Sequence, residues 1–177
     1  MASLLEQTLC YVAEEQFESV AFMFPAPADP GGAASAVEEW TTVSVAFTGP
    51  FGGRLCMGVP SAMLPVLGSN MYGTDEKTPS RARQRDALRE MIDLICSHLL
   101  SAIAGDEAVF RLETPELLGN AAAPQMPGDV TPAAATRVHL DEGVAELWLA
   151  IDPPVTELNL SEVEGIAWVA GSASQQG

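Results

Sequence analysis

The sequence predicts a single α+β domain in which a largely antiparallel sheet is flanked by helices. Its 177 residues are 47% hydrophobic, which is enough for one sizeable core. The segments follow in the order helix, two strands, short helix, long helix and three strands. Because most of the strands fall into hairpins, their pairing should be antiparallel, with the helices packed against the sheet.

The first half of the chain supplies a helix, a hairpin and a short helix. The helix runs from Ser3 to about Ser19 with apolar and acidic faces, and Glu6 completes a capping box with Ser3. Trp40–Thr48 and Arg54–Val59 are rich in β-branched or apolar residues and form the hairpin. The short helix begins at Pro60-Ser61 and ends within 70–73.

The second half begins with the longest helix, predicted from Arg81 to Ala104 and closed by Gly105. The remaining elements are a short strand at 109–112, an exposed loop over 119–135, and a terminal hairpin of 136–140 and 144–151. The pattern weakens after a Pro-Pro pair. We therefore expect one domain over residues 1–154 and a partly disordered C-terminal extension over 155–177.

The charge balance excludes several classes of partner. The chain has 24 acidic and 8 basic side chains, a formal net charge of −16, so we expect neither nucleic-acid nor membrane binding. Three scattered cysteines without a Cys-x-x-Cys pair indicate neither a disulfide framework nor a zinc site. With no basic leader and no membrane-spanning apolar run, we expect a cytoplasmic protein.

The long helix carries a polar stripe opposite its apolar face. Asp86, Glu90, Asp93 and Ser97 follow at i, i+4, i+7 and i+11, which places them on one side of the helix. Acidic residues grouped in this way are usually a solvated surface. The spacing alone therefore does not distinguish a site from an ordinary exposed face.

The stripe resembles the motif of the CheC/CheX family of chemotaxis phosphatases. That motif has Asp or Ser, then Glu four residues later, then Asn after three more, and a proline about twenty residues on; here Asp86, Glu90, Asp93 and Pro115 match its positions. Segments 114–119 and 146–151 are also similar to the family. The first helix has no second copy of the motif, so the chain is closer to CheX than to CheC. The resemblance implies a CheC-like fold and a homodimer formed through edge strands.

The resemblance also implies a function in two-component signalling. Proteins of this family remove the phosphoryl group from the aspartyl phosphate of a CheY-type response-regulator receiver. Glu90 is then expected to contact the receiver, Asp93 to stand where the family orients the attacking water, and Asp86 to lie at the partner-binding face. Because the receiver would supply Mg²⁺, we expect no metal site and no cofactor in this chain.

Asp93 departs from the family, which has Asn at this position. An ionised carboxylate faces a phosphoryl group of like charge, at a cost of ~4 kcal/mol per unit-charge pair at ~4 Å and an effective dielectric near 20. It also donates no hydrogen bond unless protonated. We therefore expect weakened phosphatase activity. The alternatives are a module that binds a receiver without hydrolysis and a scaffold domain with no receiver partner.

Basic residues concentrate at the start of the long helix. Five of the eight basic residues lie between Lys77 and Arg89. A solvated helix start would explain them, although positive charge there opposes the helix dipole. The functional alternative is that Arg83, Arg85 and Arg89 bind an acidic partner surface and steer its approach.

Overall fold

The computed structural model describes residues 2–28, 38–73, 78–124, 128 and 130–152. The predicted C-terminal extension and Lys77 lie outside these residues. The helices are α1 (Leu4–Ala21), α2 (Leu64–Tyr72) and α3 (Arg81–Ala104), with a 3₁₀ turn at Ser61–Met63. The strands are β1 (Trp40–Thr48), β2 (Gly52–Pro60), β3 (Arg111–Leu112), β4 (Glu116–Ala121), β5 (Ala134–Leu140) and β6 (Gly143–Asp152).

The strands form one six-stranded sheet in which every pairing is antiparallel. The order is β3-β1-β2-β6-β5, and β4 pairs with β1 on the same side as β3. The two hairpins, β1–β2 and β5–β6, are joined by the pairing of β2 with β6. The predicted fold class, a single α+β domain with an antiparallel sheet, is confirmed.

The core lies between the helices and one face of the sheet. Every second residue of β1 and β2 is buried in it: Val43, Val45, Phe47, Leu55, Met57 and Val59. This period of two is what a strand with one core-facing side requires. The buried sides of α1 and α3 complete the same cluster, so the sheet fixes the position of both helices.

The long helix α3 has the limits that its sequence predicts. Ser80 accepts a hydrogen bond from the backbone N–H of Arg83, and Gly105 follows the last residue with a positive φ of 82°. Its apolar stripe is fully buried: Leu88, Met91, Ile92, Ile95 and Leu99. Because that stripe packs on the core, the opposite side of α3 faces solvent.

Strand β4 corrects the prediction that residues 119–135 form a loop. Gly119 and its neighbours extend β4 to Ala121, and β5 begins at Ala134. The pairing of β4 with β1 shifts register between Thr42 and Val43, and Gly119 has a φ of 98°. This β-bulge breaks the alternation by which a strand is recognised in a sequence. The preceding strand, β3, is shorter than predicted and covers only Arg111–Leu112.

Among the described residues, none of the helices combines the length and the apolar character that crossing a bilayer would require.

Candidate functional site

The polar stripe of α3 lies on the solvent side of the helix, but its three acids differ in exposure. Asp86 and Glu90 are exposed, whereas Asp93 is half-buried. The packing of α3 against its neighbours covers part of the Asp93 side chain. The three acidic residues of the motif thus lie on one side of α3, and two of them, Asp86 and Glu90, are exposed.

Tyr72 holds the carboxylate of Glu90. Its phenol O–H donates a hydrogen bond to Oε2 of Glu90 at 3.3 Å. Tyr72 is the last residue of α2, which Gly73 ends in the left-handed conformation, with a φ of 57°. Partial burial, followed by the charge of Glu90, raises the pKa of Tyr72, so its proton remains available for this bond. No feature of the sequence indicates Tyr72, because the contact depends on how α2 packs on α3.

Asp86 is paired within the helix. Its Oδ1 lies 3.2 Å from a guanidinium nitrogen of Arg89, one turn further along α3. Asp86 is exposed and Arg89 is partly exposed, so solvent screens the pair and it contributes little to stability. It nevertheless holds Arg89 toward Asp86, on the flank of the stripe.

Asp93 is the electrostatically unfavourable member of the stripe. Its Oδ1 atom is buried and has no hydrogen-bond partner among the described residues. Burial, and then the charge of Glu90, raises the pKa of Asp93. Nε of Arg89 is likewise buried and unpartnered, and it stands four residues before Asp93, a spacing that brings side chains together on a helix. A rotation of Arg89 away from Asp86 would therefore place a cation beside Asp93.

The arginines predicted to bind a partner point to different sides of α3. Arg83 precedes Glu90 by seven residues, which is two turns, so it shares the side of Glu90. Arg85 is two residues further on and about 200° around the helix from Arg83. Arg85 instead lines a cavity of about 340 Å³ at the start of the helix. The cavity is bounded by Glu39, Thr41, Ser61, Leu64, Arg81, Gln84, Arg85 and Asn120.

Pro115, the proline of the motif, is buried immediately before β4. Two residues separate it from the end of β3, and both strands pair with β1. The proline thus occupies the short link between two strands at one edge of the sheet.

The described residues include no group of three or more His, Cys, Asp or Glu side chains arranged to hold a metal ion. All three cysteines are free; burial raises the pKa of Cys56 to about 11 and that of Cys96 to about 12.

Comparisons with known proteins find similarity at the level of structure. No family model matches the chain, and no curated protein matches it. The CheX chemotaxis protein of Desulfovibrio desulfuricans has a TM-score of 0.62 at 15% identity, over 84% of this chain and 99% of that chain. A CheC-like superfamily protein from Shewanella sp. PV-4 has a TM-score of 0.63 at 12% identity, over 86% and 99%.

A third similar structure is CheX of Borrelia burgdorferi in a complex with CheY, BeF₃ and Mg²⁺. Its TM-score is 0.57 at 12% identity, over 82% of this chain and 96% of that chain. The three alignments span nearly the whole of each solved chain and more than four fifths of this one. The chain therefore has the fold of the CheX and CheC-like chemotaxis proteins.

Proposed function

We propose that this chain is a CheX-like chemotaxis protein that binds a phosphorylated CheY-type receiver through Asp86, Glu90 and Asp93. The observation that carries the proposal is the Glu90 carboxylate, which is exposed on α3 and held there by Tyr72. The fold is shared with a CheX protein whose structure contains CheY, BeF₃ and Mg²⁺, which supports a receiver as the partner. Such a partner would place the protein in the cytoplasm.

In this proposal, the receiver supplies most of the groups that take part in hydrolysis, and this chain supplies few. The receiver supplies the phosphoryl group and Mg²⁺, so a partner protein contributes mainly the position of the attacking water. In this proposal Glu90 contacts the receiver, and Asp93 occupies the motif position at which the family orients that water. We also propose that two copies associate through edge strands. The β3–β4 side of the sheet is one such edge, whereas the end of β5 is already covered by the bridge between Pro25 and Leu140.

The carboxylate of Asp93 limits hydrolysis in this proposal. We predict that the wild-type protein hydrolyses receiver phosphate slowly and that Asp93→Asn accelerates the step. Recovering half of a repulsion of ~4 kcal/mol speeds the step roughly thirtyfold. The amide also supplies a donor that an ionised carboxylate lacks.

The test is single-turnover loss of ³²P from a phosphorylated CheY-type receiver at saturating concentrations of each variant. The variants are wild type, Asp93→Asn and the double variant Asp93→Asn, Glu90→Ala, with exposed Glu113→Ala as the matched acidic control. We expect Asp93→Asn to be fastest and the Glu90→Ala change to remove the gain. A wild type faster than Asp93→Asn would show that the carboxylate is a working catalytic group.

A second candidate function is receiver binding without hydrolysis. It is favoured by the half-buried Asp93 carboxylate at the position where the family has an amide. In that case every variant with Glu90 intact binds the receiver, and none accelerates loss of the label. Absence of binding by all variants would overturn both candidate functions.

A further inference from the structure

The cavity at the start of α3 is lined almost entirely by polar and charged residues. Its volume of about 340 Å³ lies within the ~300–1,000 Å³ typical of small-molecule pockets. Leu64 is the single apolar residue among those that line it. A ligand that fits this lining has to be small and polar.

Two arginines provide the charge of the cavity. Arg81 and Arg85 are four residues apart on α3, so their side chains emerge on the same side of the helix. Neither makes an ion pair within the described part of the chain. Two like charges at this spacing repel one another, and an anion between them would remove that repulsion. The guanidinium group suits carboxylate and phosphate because its donors match both oxygens of such a group.

Three further lining residues, Thr41, Ser61 and Asn120, form a hydrogen-bonded network from three separate elements. Oγ1 of Thr41 donates to Oδ1 of Asn120 at 3.1 Å and lies 2.7 Å from Oγ of Ser61. Because the proton of Thr41 is used by Asn120, the Ser61 hydroxyl donates to Thr41. Within the part of the chain that the structure describes, the amide N–H groups of Asn120 and the lone pairs of Ser61 then remain for a ligand.

The carboxylate of Glu39 restricts the chemical class of ligand that the cavity can bind. This carboxylate also lines the cavity, and it would repel a simple anion unless a hydrogen-bond donor faced it. Gln84 gives its amide N–H to the backbone oxygen of Pro79, which leaves its carbonyl as a further acceptor. The cavity thus offers both cations and hydrogen-bond acceptors.

From this arrangement we infer that the cavity binds a small oxyanion, a carboxylate or a phosphate, that also carries a hydroxyl or amine group. The oxyanion lies between Arg81 and Arg85, and its donor group faces Glu39. Arg85 stands about 140° around the helix from Glu90. The site is therefore separate from the proposed receiver face and does not depend on the proposed function.

Isothermal titration of the full chain in 150 mM NaCl tests the inference. The probes are inorganic phosphate, citrate and glycerol 3-phosphate, with glycerol as the uncharged control. The variants are Arg81→Gln and Arg85→Gln, and the matched control is Arg83→Gln, which removes the same charge from another side of the same helix. All three arginines are exposed, so the fold should persist, and circular dichroism checks it.

We expect at least one anion to bind with a Kd below about 1 mM, and glycerol not to bind. Arg81→Gln and Arg85→Gln should each weaken binding at least tenfold, which is the loss expected for a hydrogen-bonded charge. Arg83→Gln should change the Kd less than twofold. A preference for citrate or for the phosphates identifies the oxyanion. Failure of all three anions to bind, or an equal loss in Arg83→Gln, would overturn the inference.

Discussion

The surroundings of Asp93 in the folded protein disfavour the charged form of its carboxylate. One of its oxygens is buried without a donor, and burial together with Glu90 raises its pKa. A raised pKa means that the folded state binds the proton more tightly than the unfolded chain does. The stabilising contribution of that proton is present at low pH and is lost as pH rises through the folded-state pKa. The ionised form therefore costs stability at neutral pH.

Asp93→Asn should accordingly raise the Tm at pH 7. The gain should shrink as pH falls toward ~4, the ordinary pKa of Asp in an unfolded chain, because Asp93 is then protonated in the folded protein. Thermal unfolding of the wild type and of Asp93→Asn measures the difference in Tm at pH 7 and at pH 4. Exposed Glu113→Gln serves as the control for removing one negative charge from an acidic chain. A gain that increases at pH 4 would show that the charge of Asp93 is not what destabilises the fold.

The hydrogen bond from Tyr72 to Glu90 has a separate consequence for binding. Tyr72→Phe leaves the Glu90 carboxylate without its donor, and the side chain then samples other rotamers. Because the bond is exposed, we expect the affinity for a phosphorylated receiver to fall about two- to fivefold, with stability changed by less than ~0.5 kcal/mol. Titration of receiver binding measures the affinity. Tyr11, the other tyrosine, is 62% exposed on α1, so Tyr11→Phe is the matched control; an equal loss there would contradict the role of Tyr72.

At the scale of the element, α3 and β4 show what local sequence does and does not determine. The limits of α3 are predictable because Ser80 and Gly105 satisfy its terminal groups and an apolar stripe repeats between them. Strand β4 is not predictable in this way, because its pairing with β1 is interrupted by a bulge and half of its residues are exposed, with the other half only partly buried. Its strand character comes from β1 and not from its own pattern.

The candidate site likewise has one part that the local sequence predicts and another part that it does not. The stripe of Asp86, Glu90 and Asp93 follows from helical spacing within one element. Its partner Tyr72 is 18 residues away in sequence, and Thr41 and Asn120 in the cavity are 79 apart. Such contacts depend on the packing of α2 against α3 and of β4 against β1. No local periodicity encodes them.

Reversing the charge of an arginine should have different effects on the two sides of α3. Arg83→Glu changes the side that carries Glu90, so it should slow association with an acidic receiver surface several-fold at low salt. Arg85→Glu changes the cavity side and should leave the association rate nearly unchanged. Stopped-flow association at several ionic strengths compares the two variants, which carry the same change in charge. Equal slowing by both would indicate a general field effect and would remove Arg83 from the receiver face.

At the scale of the whole molecule, few of the acidic side chains that the structure describes are paired with a basic one. The chain has a formal net charge of −16, yet the described residues contain only two ion pairs, Asp86 with Arg89 and Glu146 with Arg137. Most acids thus repel one another across the surface, and this repulsion is stronger in the compact state than in the extended chain. This negative field repels anions, and the exposed arginines of α3 oppose it locally.

Salt should therefore stabilise this protein. Raising KCl from about 10 mM to about 500 mM shortens the screening length from roughly 30 Å to below 10 Å, which weakens repulsion between exposed acids. We expect the Tm to rise by several degrees in thermal unfolding followed by circular dichroism. A variant with Glu15→Gln, Glu18→Gln and Glu142→Gln, three exposed acids on α1 and at the β5–β6 turn, should have a higher Tm at low salt and a smaller response to KCl. If the variant responds to salt as strongly as the wild type, the stabilisation comes from ion binding at particular sites, and self-repulsion is not its cause.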